Sequence, residues 1–116
     1  MRAHLDRLRD ARDHAVYAQD HRGGSSTESF VEAEQPRHAA LYCLIVIGTA
    51  LAAVPGDIRA LAPDLPWAAI VGLRNRVVHA YWQLDLEIVA DVVDNRLDPL
   101  IQMLDRLIGL LETPAT

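Results

Sequence analysis

At 116 residues the chain has the length of one domain, 1–116, and can bury a core without disulfide staples. Apolar residues make up 51% of it and aromatics only 5%, so Leu, Ala, Val and Ile must fill the interior, which suits packed helices. The net charge of −5 excludes a global positive field, so any nucleic-acid site has to be a local basic patch. All eleven basic residues are arginine.

Cys43 is the single cysteine, so no internal disulfide can form, and a reducing, cytoplasmic setting is expected. The charged start Met1-Arg2-Ala3-His4-Leu5-Asp6 does not resemble a secretory signal. The longest uncharged stretch, 39–56, turns polar after Val54 and falls short of the ~20 residues that span a bilayer. A buried helix is expected there and no membrane span.

In chain order, Leu5, Leu8, Ala11, Ala15 and Ala18 recur at steps of three or four, which predicts a surface helix over 3–20. Gly23-Gly24-Ser25-Ser26 breaks it. Thr27 suits a cap for a short turn holding Glu28, Phe30 and Val31, with Phe30 as an anchor to the core. Pro36 fits the first turn of a central helix over 36–53, which Pro55-Gly56-Asp57 ends. A connector follows, with a helical turn near 58–61.

Pro66-Trp67 opens a third helix expected to run to Tyr81, and Gln83-Leu84-Asp85 reads as a turn. Asp85 is placed to cap a fourth helix whose buried side is Leu86, Val89, Ala90 and Val93. A bend or new start is expected between Asn95 and Pro99. Leu97, Leu100, Ile101, Leu104, Leu107, Ile108 and Leu111 then form the clearest amphipathic stripe in the chain. No strand-like alternation appears. The expected fold is all-α, an up-and-down bundle of four to five helices.

Chemistry concentrates in Gly72-Leu73-Arg74-Asn75-Arg76-Val77-Val78-His79-Ala80-Tyr81. On an ideal helix Asn75, Arg76, His79 and Gln83 share a polar face, whereas Arg74 falls in the apolar sector between Tyr81 and Val78. Arg74 and His79, five residues apart, lie about 140° from each other and share no face. A purely structural account stays open: Arg74 pairing with a carboxylate on another helix, His79 a surface histidine, Tyr81 a half-buried aromatic. His4, His14 and His21 do not have zinc-ligand spacing, and no metal site or cofactor motif is expected. Trp67 and Trp82 are expected to pack, Arg37 and His38 to be solvated.

Arg74-Asn75-x-x-x-His79-x-Tyr81 resembles the Arg-x4-His-x-Tyr motif of HepT-like HEPN proteins. Ile47-Gly48, Pro66-Trp67, Gly72-Leu73-Arg74-Asn75 and Asp85-Leu86-Glu87-Ile88-Val89 extend the likeness in register over much of the chain. Two positions depart from it: Thr49 stands where the family commonly has an acidic residue, and Tyr42 where a basic one is common.

The resemblance implies a HEPN-type bundle and a metal-independent endoribonuclease toxin, in which the RNA 2′-hydroxyl attacks its adjacent phosphate. It implies that Arg74 holds the phosphate, that His79 moves protons, and that Asn75 orients His79 or bonds a phosphate oxygen. Arg76 is a further, weaker phosphate contact. The implied partners are RNA, a second copy of the chain that completes a shared cleft, and an MNT-type nucleotidyltransferase antitoxin that adds AMP to Tyr81. Two rival readings use the same residues. One is a non-catalytic helical dimer module that binds a nucleotidyltransferase or a nucleotide. The other is a partner that presents a small molecule to such an enzyme.

Overall fold

The computed structural model describes residues 2–22, 32 and 34–112; the expected turn with Thr27, Glu28, Phe30 and Val31 lies outside them. Four long helices carry the fold: α1 (Arg2–Arg22), α2 (Glu34–Ala52), α4 (Trp67–His79) and α6 (Leu97–Glu112). Two short ones, α3 (Gly56–Arg59) and α5 (Leu86–Asp91), lie between them. Among the described residues there is no strand. The architecture is the all-α HEPN-type bundle expected from the sequence.

Pairings between helices show the directions. Arg9 meets Glu112, Arg12 donates to Asp105 at 2.9 Å and Gln19 donates to Asp98 at 2.6 Å, so α6 runs antiparallel to α1. His14 of α1 stands edge-on to Tyr42 of α2, while Arg7 and Asp10 border a groove with Thr49 and Ala53; α2 is therefore antiparallel to α1. Gly48 and Thr49 meet Arg74, and Leu41 and Tyr42 border Val77 and Tyr81, which makes α4 antiparallel to α2. The four long helices thus alternate up and down.

The core follows the predicted stripes. Leu8, Ala11, Ala15 and Ala18 are fully buried, and so small a stripe lets α2 approach α1 closely. From α2, Leu41, Cys43, Leu44, Ile47 and Leu51 enter the interior, joined by Leu97, Leu100, Leu104, Leu107 and Ile108 of α6.

Arg59 ties the end of α2 to the start of α4. Its guanidinium donates to the carbonyls of Leu51, Ala52 and Val54 at 2.9–3.2 Å, at and just past the helix end where the regular ladder stops. The same group lies 5.3 Å from the Trp67 ring centre, and the Trp67 indole N–H donates to the Ala62 carbonyl at 3.0 Å. α3 therefore sits slightly earlier than the turn expected near 58–61, because the chain turns helical directly after Pro55.

Two further boundaries differ from expectation. α4 ends at His79 rather than Tyr81: the Ala80 N–H closes a last bond to the Arg76 carbonyl, Ala80 leaves helical geometry at φ −137°, and Tyr81–Gln83 forms a separate 3₁₀ turn. Trp82, expected to pack, is 78% exposed on that turn, because ending the helix early swings it off the core. The bend expected before Pro99 is a π-helical segment, Val92–Arg96. Pro99 has no N–H for the Asn95 carbonyl, and its ring crowds that carbonyl, so the ladder widens there. Asp85 does cap α5, accepting from the Glu87 and Ile88 amides at 3.0 and 3.4 Å.

Candidate ribonuclease site

The site grows from one crossing, where α4 passes over α2. Gly48 is the small residue at that point, buried within a run of large apolar side chains. A Cβ placed on it would lie 2.2 Å from Arg74 Cβ and 2.7 Å from Arg74 Cγ. The stem of Arg74 thus fills the space that Gly48 leaves. This resolves why a cation falls in the apolar sector of α4: its methylenes are packed at the crossing while its head reaches outward.

The guanidinium is aimed by two neutral acceptors. Arg74 Nε donates to Thr49 Oγ1 at 3.1 Å, and an Arg74 terminal nitrogen donates to Asn75 Oδ1 at 3.0 Å. Among the described residues no carboxylate pairs with Arg74, so the structural alternative of a cross-helix ion pair is not what the fold shows. Arg9 and Arg12, in contrast, are clamped by Glu112 and by Asp13 and Asp105, and hydrogen bonds to those carboxylates raise their already high pKa. Asn75, expected beside His79, gives its oxygen to Arg74 instead.

His79 is exposed at the last position of α4, with Arg76 exposed one turn before it. No hydrogen bond joins His79 to Arg74 among the described residues. Tyr81 lies just beyond the helix and is 44% exposed, not held on the apolar side as a continuing helix would require. Arg37, expected to be solvated, is half-buried at the start of α2, while His38 is exposed.

Charge is segregated around this crossing. Segments 35–56 and 65–84 contain no Asp or Glu, yet they hold Arg37, His38, Arg74, Arg76 and His79. All sixteen carboxylates lie elsewhere in the chain. The local basic patch that an acidic chain needs for an anionic ligand is thus on the α2–α4 face. Among the described residues no three His, Cys, Asp or Glu side chains gather as a metal site, and no helix is long and apolar enough to cross a membrane.

A family model described as "Ribonuclease HepT-like" matches residues 2–107. The chain belongs to the ribonuclease HepT-like family. Ribonuclease is the enzyme class that this membership carries. Curated relatives agree at low identity. "Probable ribonuclease HepT" of Thermococcus cleftensis is 26% identical over 88 residues, 76% of this chain and 80% of its own. "Putative RNase MJ0125" of Methanocaldococcus jannaschii is 28% identical over 85 residues, 73% of each chain. "Putative RNase MJ1216" of the same organism is 34% identical over 58 residues, 50% of this chain and 48% of its own. No solved structure matches at a significant level.

In the sequence Gly48 stands out only as a point of likeness to the family and Thr49 only as a departure from it. Their roles, Gly48 leaving room for the Arg74 stem and the Thr49 hydroxyl accepting a hydrogen bond from Arg74 Nε, do not show in the chain read in order. The available signal was a glycine inside a run of bulky residues, which in a helix marks a close approach.

Proposed function

We propose that this chain is the toxin of a HEPN/MNT toxin–antitoxin pair and cuts RNA at the Arg74–His79 site. The reading rests on one observation above the others: a guanidinium packed at a helix crossing and aimed by neutral acceptors, between helix segments 35–52 and 67–79 that carry no carboxylate of their own. Such a cation keeps its full charge for a phosphate.

In the proposed reaction the 2′-hydroxyl of the RNA attacks the adjacent phosphorus. The bond from phosphorus to the 5′-oxygen of the next nucleotide breaks, giving a cyclic phosphate and a free 5′-hydroxyl. Arg74 binds the non-bridging oxygens and stabilises the charge that gathers on them. The imidazole of His79 takes the 2′-hydroxyl proton or returns one to the leaving oxygen; imidazole is the side chain suited to this near neutral pH. Arg76, one turn before His79, would meet a neighbouring phosphate.

Arg74 leans towards α2 while His79 stands at the open end of α4, so one chain supplies two halves of a site. A second copy supplying the complementary half fits this division and is the reason for proposing a homodimer. Mixing Arg74→Ala with His79→Ala subunits tests it: activity returning in the mixture supports a shared cleft, and a dead mixture counts against one.

The antitoxin is proposed to transfer AMP from ATP to the Tyr81 hydroxyl, which attacks the α-phosphorus and releases pyrophosphate. The exposure of Tyr81 beyond the helix end supports this. Attached AMP would add bulk and negative charge two residues from His79, where substrate phosphate has to sit. Both partners are proposed to meet in the cytoplasm, in keeping with the lone thiol.

The deciding experiment is cleavage of RNA by purified wild-type, Arg74→Ala and His79→Ala proteins, with growth on expression as a second readout. The two variants are expected to fold and to lose cleavage and toxicity. An active His79→Ala protein removes the assignment. A wild-type protein that cuts no RNA yet still takes up AMP from a nucleotidyltransferase would favour the non-catalytic module.

A further inference from the structure

Beside the site runs a groove of about 220 Å³ between the first half of α2 and the end of α4, lined by His38, Leu41, Tyr42, Ile45, Val77 and Tyr81. Leu41 and Val77 are buried and form its apolar base. Tyr42 is 62% exposed, and the ring of His14 meets it from α1 with centres 6.3 Å apart at 65°. The two tyrosines come from different elements, one on α2 and one on the 3₁₀ turn.

We infer that this groove takes an unpaired nucleobase of the RNA, stacked on Tyr42, next to the phosphate held at Arg74 and His79. The inference rests on the ribonuclease reading above and specifies its substrate as single-stranded.

Three observations favour a base over another occupant. The groove has no carboxylate in its lining, in a chain that carries sixteen, so a polyanion can run along it without repulsion. Two of its lining residues, Val77 and Tyr81, stand two positions before and after His79 in the chain, so the groove lies at the same end of α4 as that histidine. Its chemistry is an apolar floor with exposed aromatic rings, which is what a flat, polar-edged base stacks on once it is out of a helix. A duplex keeps its bases stacked on one another and has none to offer.

The test uses binding of a short fluorescent 2′-O-methyl oligonucleotide, which the attack on phosphorus cannot consume, against an abasic strand of the same length. Wild-type protein should bind the base-bearing strand about ten-fold tighter. Tyr42→Ala should erase that difference, and Tyr42→Phe should keep it. Because Tyr42 is exposed, both variants should melt like wild type. Sedimentation of all three proteins and cleavage of ordinary RNA by wild type accompany the titration.

If wild type cuts RNA but Tyr42→Ala keeps the full base preference, the base subsite is overturned and the ribonuclease reading stands. If Tyr42→Ala changes the oligomeric mass, the groove is covered by a second copy and the proposal falls. If wild type neither cuts nor binds RNA, both readings fall together.

Discussion

Gly48 and Arg74 are complementary in volume: the one lacks a side chain where the other's stem begins, and a Cβ on Gly48 would come within 2.2 Å of Arg74 Cβ. The contact is with the root of the arginine side chain, which cannot swing away as its tip can. Gly48→Ala should therefore push α4 off α2. Overpacking of this kind costs about 1–3 kcal/mol. The expected outcome is a lowered urea midpoint, together with a loss of RNA cleavage per folded molecule, since Arg74 moves with the helix. A Gly48→Ala protein of wild-type stability and activity would show that the crossing does not set Arg74.

Thr49 should act on cleavage through Arg74 and not through stability. Its hydroxyl accepts from Arg74 Nε, and the residue is exposed. Thr49→Val keeps the shape and removes the acceptor; a hydrogen bond is worth about 0.5–1.5 kcal/mol, so cleavage should fall roughly two- to twelve-fold. Thr49→Ser should restore it. Thr49→Glu would set a carboxylate against the guanidinium and offset its charge, so RNA binding should weaken and depend less steeply on salt. Equal cleavage by the Val and Ser variants would remove Thr49 from the site.

Much of this was legible in the sequence, for reasons that differ by element. The stripes of α1 and α6 are periodic over many turns, and Leu8, Ala11, Leu104 and Leu107 are buried as their spacing predicts. The Asp85 cap is local chemistry, readable from one residue and its neighbours. The end of α4 was not legible, because Val77 to Tyr81 keeps a helical pattern while the chain leaves helical geometry at Ala80. Nothing within Trp82 and its neighbours tells a packed ring from an exposed one; that depends on where the preceding helix stops. The roles of Gly48 and Thr49 were hidden for another reason. They exist only across a pair of helices, and a single chain read in order does not place residue 48 against residue 74.

The Asp85 cap can be tested apart from the site. Asp85→Ala leaves the Glu87 and Ile88 amides without their side-chain acceptor. The loss should lower stability by about 1 kcal/mol in a urea titration, and Asp85→Asn should recover most of it. Equal midpoints for Asp85→Ala and wild type would mean that water serves those amides as well.

Cys43 gives a prediction whose sign follows from burial alone. The thiol is free and nearly inaccessible in the core, and burial pushes its pKa above the ordinary value of 9.0. The folded chain therefore holds this proton more tightly than the unfolded chain does. Its contribution to stability is present in full below the unfolded value and is lost as pH climbs through the folded one. The urea midpoint of wild type should accordingly fall more steeply on the alkaline side than that of Cys43→Ala, whatever the cavity costs that variant at neutral pH. Iodoacetamide should leave the native thiol unmodified at neutral pH and label it once denaturant opens the core. Rapid labelling of the native protein would mean that the α1–α2 interface opens far more often than so tightly packed an alanine stripe allows.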